Sequence, residues 1–215
     1  MHPIRTLGAP NSSSAPIAAI GGDLPKYTGH KYLTNNNRPP AIFLDRDGTI
    51  IEDRGYLCDP SQVVFYPSAI PALRRLGERF KLFVVTHQSG IAKGFNTHEE
   101  VERVNAYLVD ALKIEEVEIE EVYCCPHVRA DNCDCVKPKP HFPLIAAREH
   151  NIDLSRSWVI GDHAHDVEMA PACGGRGIYV LTGHGRKHID QVGDDFIIAA
   201  DLSEAADIIL GTKAR

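Results

Sequence analysis

No apolar run in the 215 residues approaches the ~18 needed to cross a membrane, so no membrane association is expected. Positive charge is also scarce: 23 Lys and Arg stand against 29 Asp and Glu, a formal charge of −6. Such a chain lacks the phosphate-neutralising surface of a nucleic-acid binder. Basic stretches interleaved with aromatics, which stack single strands, are missing too. There are no internal repeats. Gly174-Gly175-Arg176-Gly177 precedes an expected strand instead of following one, so it is not a dinucleotide fingerprint. What remains is 43% hydrophobic and 24% charged, a globular composition with enough chain for one real core. The acidic total still leaves room for a local basic pocket that holds a small phosphorylated molecule.

Residues 1–40 differ from the rest. Asn11-Ser12-Ser13-Ser14, Asn35-Asn36-Asn37 and Pro39-Pro40 fall here, and Asp23 is the only acid. A flexible or loosely docked N-terminal extension is expected. Residues 15–20 are apolar but too short and poorly flanked for a secretory signal; the acid-poor, serine-containing composition leaves organelle targeting as the alternative.

From Ala41 the pattern becomes regular. Residues 41–44, 81–86, 117–124, 158–160, 177–181 and 196–198 are short apolar runs, as in buried parallel strands. Helices lie between them. Ser68 is placed to cap one with Ile70, Leu73 and Leu76 on its apolar face. Thr97 and Glu100 form a capping-box pattern ahead of Val101, Val104, Leu108 and Leu112. Residues 142–150, stopped by Asn151, and residues 164–173 read as helices, and Ser203 is placed to cap the last one. Alternating strands and helices predict an α/β, doubly wound, mainly parallel Rossmann-like sheet over 41–215. Ligands of such sheets sit at the carboxyl ends of the strands.

Four strand ends carry chemistry. After the first come Asp45 and Asp47, two carboxylates able to share a crevice, one as nucleophile toward phosphorus and one as proton carrier. Gly48 lets the chain turn away. Facing carboxylates repel, so a divalent cation with oxygen ligands is expected, and magnesium (Mg2+) fits. After the second come Thr86, His87, Gln88, Ser89 and Gly90, a hydroxyl and backbone N–H groups suited to phosphate oxygens. Lys137 can supply positive charge to a transferring phosphoryl group. Asp162 and Asp166 can complete the cation site, while His163 and His165 read as exposed loop histidines.

Of six cysteines, Cys124, Cys125, Cys133 and Cys135 crowd into one loop beside His127. Soft ligands this close together suit a closed, tetrahedral, structural zinc (Zn2+) site. Such thiol-rich metal binding fits a reducing cytoplasm. Cys58 and Cys173 read as ordinary buried thiols.

Asp45-Arg46-Asp47-Gly48-Thr49, Thr86, Lys137 and Gly161-Asp162-x₃-Asp166, in that order, resemble the haloacid dehalogenase superfamily over about residues 41–182. The stretch Glu52-Asp53-Arg54-Gly55-Tyr56, the run Gln88 to Gly94 and the cysteine loop resemble, within it, the heptose-bisphosphate phosphatases, and the related histidinol-phosphate phosphatases share the cysteine loop. The resemblance implies a Mg2+-dependent phosphatase with a minimal cap that works through a phospho-aspartate. Asp45 is then the nucleophile, Asp47 the general acid and base, and Thr86 and Lys137 the phosphoryl anchors. The Asp45 carboxylate, the Asp47 backbone carbonyl and Asp162 hold magnesium, with Asp166 beside them. The family's Cys-Pro-His pattern selects Cys125, with His127, Cys133 and Cys135, for zinc and leaves Cys124 to the core. Gln88 and Ser89, with the loop cations Arg54, Lys93, Arg186 and Lys187, are the candidate substrate contacts. Val136 stands where the heptose phosphatases carry arginine, His163 where lysine is usual in them, and His87 where asparagine is usual. The gap before Cys133 is as short as in the histidinol-phosphate enzymes. These departures bear on substrate, which is expected to be a small phosphorylated metabolite: heptose bisphosphate first, histidinol phosphate or a general phosphometabolite as the alternative. A monomer is expected.

Overall fold

The computed structural model describes residues 4–6 and 38–212. Ala41-Ile42-Phe43-Leu44 has no polar side chain, and strand β2 (Ala41–Leu44) is buried along its whole length. Its residues alternate between two apolar clusters. Ile42 and Leu44 face one, Ala41 and Phe43 the other. β3 (Lys81–His87) repeats the pattern with Leu82 and Val84 against Phe83 and Val85. The period of two thus sorts continuous apolar runs onto two covered faces.

The sheet has seven strands in the order β1-β4-β3-β2-β5-β6-β7, every pair parallel. The others are β1 (Ile4–Thr6), β4 (Ile119–Cys125), β5 (Trp158–Gly161), β6 (Arg176–Val180) and β7 (Ile197–Ala199). Helices α1 (Ala69–Gly77), α2 (His98–Ile114) and α6 (Leu202–Leu210) supply Leu73, Leu108 and Ala205 to the first cluster. Helices α3 (His141–Glu149) and α5 (Met169–Ala172) supply Phe142 and Met169 to the second, where Phe43, Phe83, Tyr123 and Phe142 stack in series. After β2 the chain runs outward through β3 and β4, then returns to build β5 on the other side of β2. That reversal opens a crevice beyond the ends of β2 and β5, where α/β sheets take their ligands.

Several expectations are corrected. Ser68 makes no capping hydrogen bond, because its own backbone is already helical. Ser203 lies two residues too far in: Asp201 caps α6, its carboxylate accepting from the Glu204 N–H. The helix expected over 164–173 is two short ones, α4 (Ala164–Val167) and α5. Pro171 lacks the N–H that a continuous helix would direct to Val167. The extension expected over 1–40 lies mostly outside the described residues, but Ile4–Thr6 forms an edge strand beside β4. Among the described residues no helix is long and apolar enough to cross a membrane.

Candidate active site

Asp45 follows β2, its N–H donating to the Ile160 carbonyl of β5 at 2.9 Å, so it stands at the reversal point. Lys137 enters from the loop after β4 and is only 2% exposed. Its Nζ donates to Asp45 Oδ1 at 2.7 Å and lies 2.9 Å from Asp166 Oδ1. Burial works against a charged lysine, but Asp166 and Asp45 outweigh it and raise the pKa above the ordinary lysine value. Asp166 is held below the usual carboxylate range, because Lys137 outweighs the effect of burial. Asp45 goes the other way. Burial pushes its carboxyl well up, Lys137 opposes this, and Asp166, Asp162 and Asp47 add to the rise. More negative charge is gathered here than one lysine balances.

Asp47 is gripped from behind. Arg46, fully buried, sends Nε to Asp47 Oδ2 and Nη2 to Oδ1, each at 3.0 Å, and Nη1 to Asn105 Oδ1 at 2.6 Å. Gln88 Nε2 donates to Asp47 Oδ2 at 2.8 Å and to Thr86 Oγ1 at 2.7 Å. A bidentate guanidinium and an amide together fix the direction of the second carboxylate. Arg46 enters the site without any role expected of it from the sequence. A charged residue between two motif carboxylates was the available signal, but its partner Asn105 lies on α2, far along the chain.

Asp162 is completely buried after β5. Its Oδ1 pairs with His163 Nδ1 at 2.9 Å, and its Oδ2 accepts the His184 N–H at 2.8 Å. The hydrogen bond to Asp162 raises the His163 pKa against the effect of burial. Asp162, His163 and Asp166 direct ligand atoms to within 4.8 Å of one another. Gly48 packs directly on this carboxylate at φ +87°, and a Cβ there would collide with Asp162 Oδ2. Gly48→Ala is therefore expected to strain the backbone and displace Asp162. The magnesium expected at this cluster is then predicted to bind at least about tenfold more weakly, read from a binding titration. An unchanged titration would show that Asp162 is not part of the cation site.

Asp45, Asp47, Thr86, Lys137 and Asp166 line the inner part of a cavity of about 440 Å3, inside the range of small-molecule sites. Ser89, Lys93 and Arg129 stand on its outer wall with Asp53 and His87. His163 and His165 also line it, and are half-buried, not exposed loop histidines. Burial lowers His165 to about 4, so it is neutral at physiological pH. The remaining expected contacts stay outside. Gln88 turns inward to Asp47 and Thr86. Arg54 is exposed and pairs with Glu52 at 2.8 Å. Arg186 and Lys187 are exposed and do not line the cavity. Val136 is 6% exposed and packs in the second apolar cluster.

The cysteine loop begins where β4 ends. Cys125 Sγ lies 3.9 Å from His127 Nδ1, 3.7 Å from Cys133 Sγ and 3.4 Å from Cys135 Sγ. Cys133 to Cys135 is 3.5 Å and Cys135 to His127 is 3.4 Å. Ligands about 2.3 Å from a tetrahedral ion stand about 3.8 Å apart, so this set can close on one metal. The Cys135 thiol, donating to Cys125, pulls the Cys125 pKa down to about 5 and is itself pushed up. Cys124 points away into the core, where burial raises it to about 12. Cys173 is buried and Cys58 half-buried. His87 Nε2 meets the His127 carbonyl at 2.7 Å, joining the cysteine loop to the cavity wall.

Comparison with known proteins agrees with this layout. The HAD-hydrolase-like family model matches residues 134–205. The D-glycero-β-D-manno-heptose-1,7-bisphosphate 7-phosphatase of Yersinia pestis is 35% identical over 185 residues, covering 82% of this chain and 96% of that protein. The enzyme of the same name from Escherichia coli K12 is 38% identical over 178 residues, 77% of this chain and 93% of its own. Among solved structures, the D,D-heptose 1,7-bisphosphate phosphatase of B. bronchiseptica, complexed with magnesium and phosphate, superposes with a TM-score of 0.74 at 28% identity, over 81% of this chain and 99% of that one. A putative HAD-like phosphatase from Mesorhizobium loti gives 0.70 at 30% identity, over 80% and 85%. The shared sheet, and a match along nearly the whole length of these relatives, establish that the chain belongs to the HAD-like phosphatases, in the family of the heptose-bisphosphate phosphatases, and is a phosphoric monoester hydrolase.

Proposed function

We propose that this phosphatase removes the 7-phosphate of D-glycero-D-manno-heptose 1,7-bisphosphate through a phospho-aspartate and depends on magnesium. The observation that carries the reading is that Asp45 and Asp47 line one cavity together with Lys137 and Thr86. Asp45, held at Oδ1 by Lys137, attacks phosphorus as the bond to the sugar oxygen breaks. Asp47, aimed by Arg46 and Gln88, gives its proton to that oxygen. It then takes a proton from the water that attacks the phosphorus of the acyl phosphate, which frees inorganic phosphate and restores Asp45. Thr86 and Lys137 hold the phosphoryl oxygens.

The donors fit a hard cation. They are oxygens, and their crowding already raises Asp45. The Asp45 carboxylate, the Asp47 carbonyl and Asp162 would hold magnesium, with Asp166 beside them. When bound, it offsets the charge of the carboxylates and of the phosphoryl group. Cys125, His127, Cys133 and Cys135 would hold a structural zinc, and four protein ligands leave no position open for chemistry. Unpaired thiols and a thiolate-rich metal site suit a reducing compartment such as the cytoplasm.

A phosphate-release panel with and without magnesium tests the reading. Heptose 1,7-bisphosphate is expected to exceed histidinol phosphate and simple hexose phosphates by at least about tenfold in kcat/KM, and chelation is expected to abolish turnover. Higher kcat/KM on histidinol phosphate would replace the substrate, and full activity in chelator would remove the metal.

A further inference from the structure

The inner end of the cavity has one cation, Lys137, already shared between Asp45 and Asp166 at 2.7 and 2.9 Å. A second anionic group on the substrate has no claim on it. The outer wall differs. Arg129 and Lys93 both reach the same 440 Å3 cavity, and among the described residues no carboxylate pairs with either. Arg129 sits in a short 3-10 turn, Arg129–Asp131, between His127 and Cys133, so the chain is tied by the metal loop on both sides of it. Its Nη1 donates to the Lys137 carbonyl at 3.0 Å, which leaves the other edge of the guanidinium for a ligand. Arg129 lines the cavity together with His87 and His165.

Lys93 is likewise aimed. Its Nζ lies 3.1 Å from Tyr56 Oη and 5.4 Å from the centre of that ring, and Tyr56 in turn packs on Phe95 at 4.5 Å. Two exposed cations on the rim of one cavity, each held by neighbours that do not neutralise it, form a receptor for a dianion. They also repel an ammonium group at the same place.

Resting on the substrate reading above, we propose that Arg129 is a specificity-determining residue. With Lys93 it clamps the non-reacting phosphate of a bisphosphorylated sugar while Asp45 and Lys137 hold the reacting one. Val136 cannot serve this purpose, because it is buried in the core beside Cys135 and Phe142. The clamp disfavours substrates whose far end is an amine.

Steady-state kinetics of wild type, Arg129→Ala, Arg129→Lys and Lys93→Ala on heptose 1,7-bisphosphate and on heptose 7-phosphate test the clamp. The two substrates share the reacting phosphate and differ only in the other. Arg129→Ala is expected to lower the ratio of their kcat/KM values at least about tenfold, through KM for the bisphosphate, with part of the ratio retained in Arg129→Lys. Lys93→Ala is expected to lower it in the same direction. A merely structural role, exerted through the Lys137 carbonyl, would depress both substrates equally; an unchanged ratio in Arg129→Ala overturns the proposal. Wild-type protein with no preference for the bisphosphate overturns the substrate reading and the clamp together. A wild-type preference that survives Arg129→Ala overturns the clamp alone.

Discussion

Asp45→Asn protein is expected to fold and to lose at least about a thousandfold in kcat. The amide keeps the shape but has no nucleophilic oxygen, and Asp166, the other carboxylate beside Lys137, is held in its own pairing with that lysine. The stability side is equally specific. Burial and the neighbouring Asp166, Asp162 and Asp47 raise the Asp45 pKa in the folded chain, and Lys137 only partly opposes them. The folded state therefore binds a proton more tightly than the unfolded one. Stability from this group is full below the ordinary carboxylate range and is lost as pH rises through the higher folded value. At neutral pH the ionised carboxylate works against folding. Lys137 keeps its 2.9 Å pairing with Asp166 in the variant. In chelator, Asp45→Asn is thus expected to melt at or above wild type at pH 7, with the difference shrinking as pH falls toward 4. Calorimetry across that range, beside a phosphate-release assay, checks both parts. Substantial turnover by the purified variant would remove the phospho-aspartate mechanism. A variant melting well below wild type would remove the account of crowded charge.

Removing the loop metal is expected to have the largest effect on stability. Wild-type protein should carry one equivalent of zinc that survives mild chelation. Cys133→Ser should lose it, together with on the order of 4 kcal/mol of folding stability. The binding energy of such a site is folding energy, because the ligands converge only in the folded chain. The damage should spread from the loop in a definite order. Cys125 ends β4, next to the apolar cluster of Tyr123 and Phe142, so melting should fall first. His127 supplies the carbonyl that anchors His87, and the loop leads into Lys137, so KM should rise before kcat falls. Metal analysis of active protein that finds no zinc would count against the site. So would a Cys133→Ser protein that melts with wild type.

The parts of this fold that were legible beforehand are those set by local pattern. β2 and β3 are continuous apolar runs because both faces of the sheet are covered, and a short window reveals that. The capping box of Thr97 and Glu100 forms as its spacing predicts, each side chain reaching the other's backbone. Where a local signal had competitors, it misled. Ser68 and Ser203 are both good capping residues, yet Ser68 is already helical and Asp201 starts its helix first. The edge strand Ile4–Thr6 could not be read in advance, since three residues carry no periodicity and only the open edge of β4 recruits them.

The same division runs through the site. Chain order determined which residues stand at the strand ends, because three of the motifs directly follow short apolar runs and Lys137 follows the cysteine loop after a fourth. It also pointed to the cysteine cluster, since Cys125, His127, Cys133 and Cys135 place four soft ligands within a short stretch of chain. Tertiary structure alone decided the direction of the side chains between those points. Gln88 turned inward because Asp47 and Thr86 both offer it acceptors. Arg46 was buried because Asn105, on another element, completes its set of partners. Among the loop cations, Arg54 found Glu52 and stayed outside, while Arg129, between His127 and Cys133, came to line the cavity. A cation's composition and neighbourhood look the same in sequence whether it faces solvent or substrate. Only the packing of distant loops separates the two.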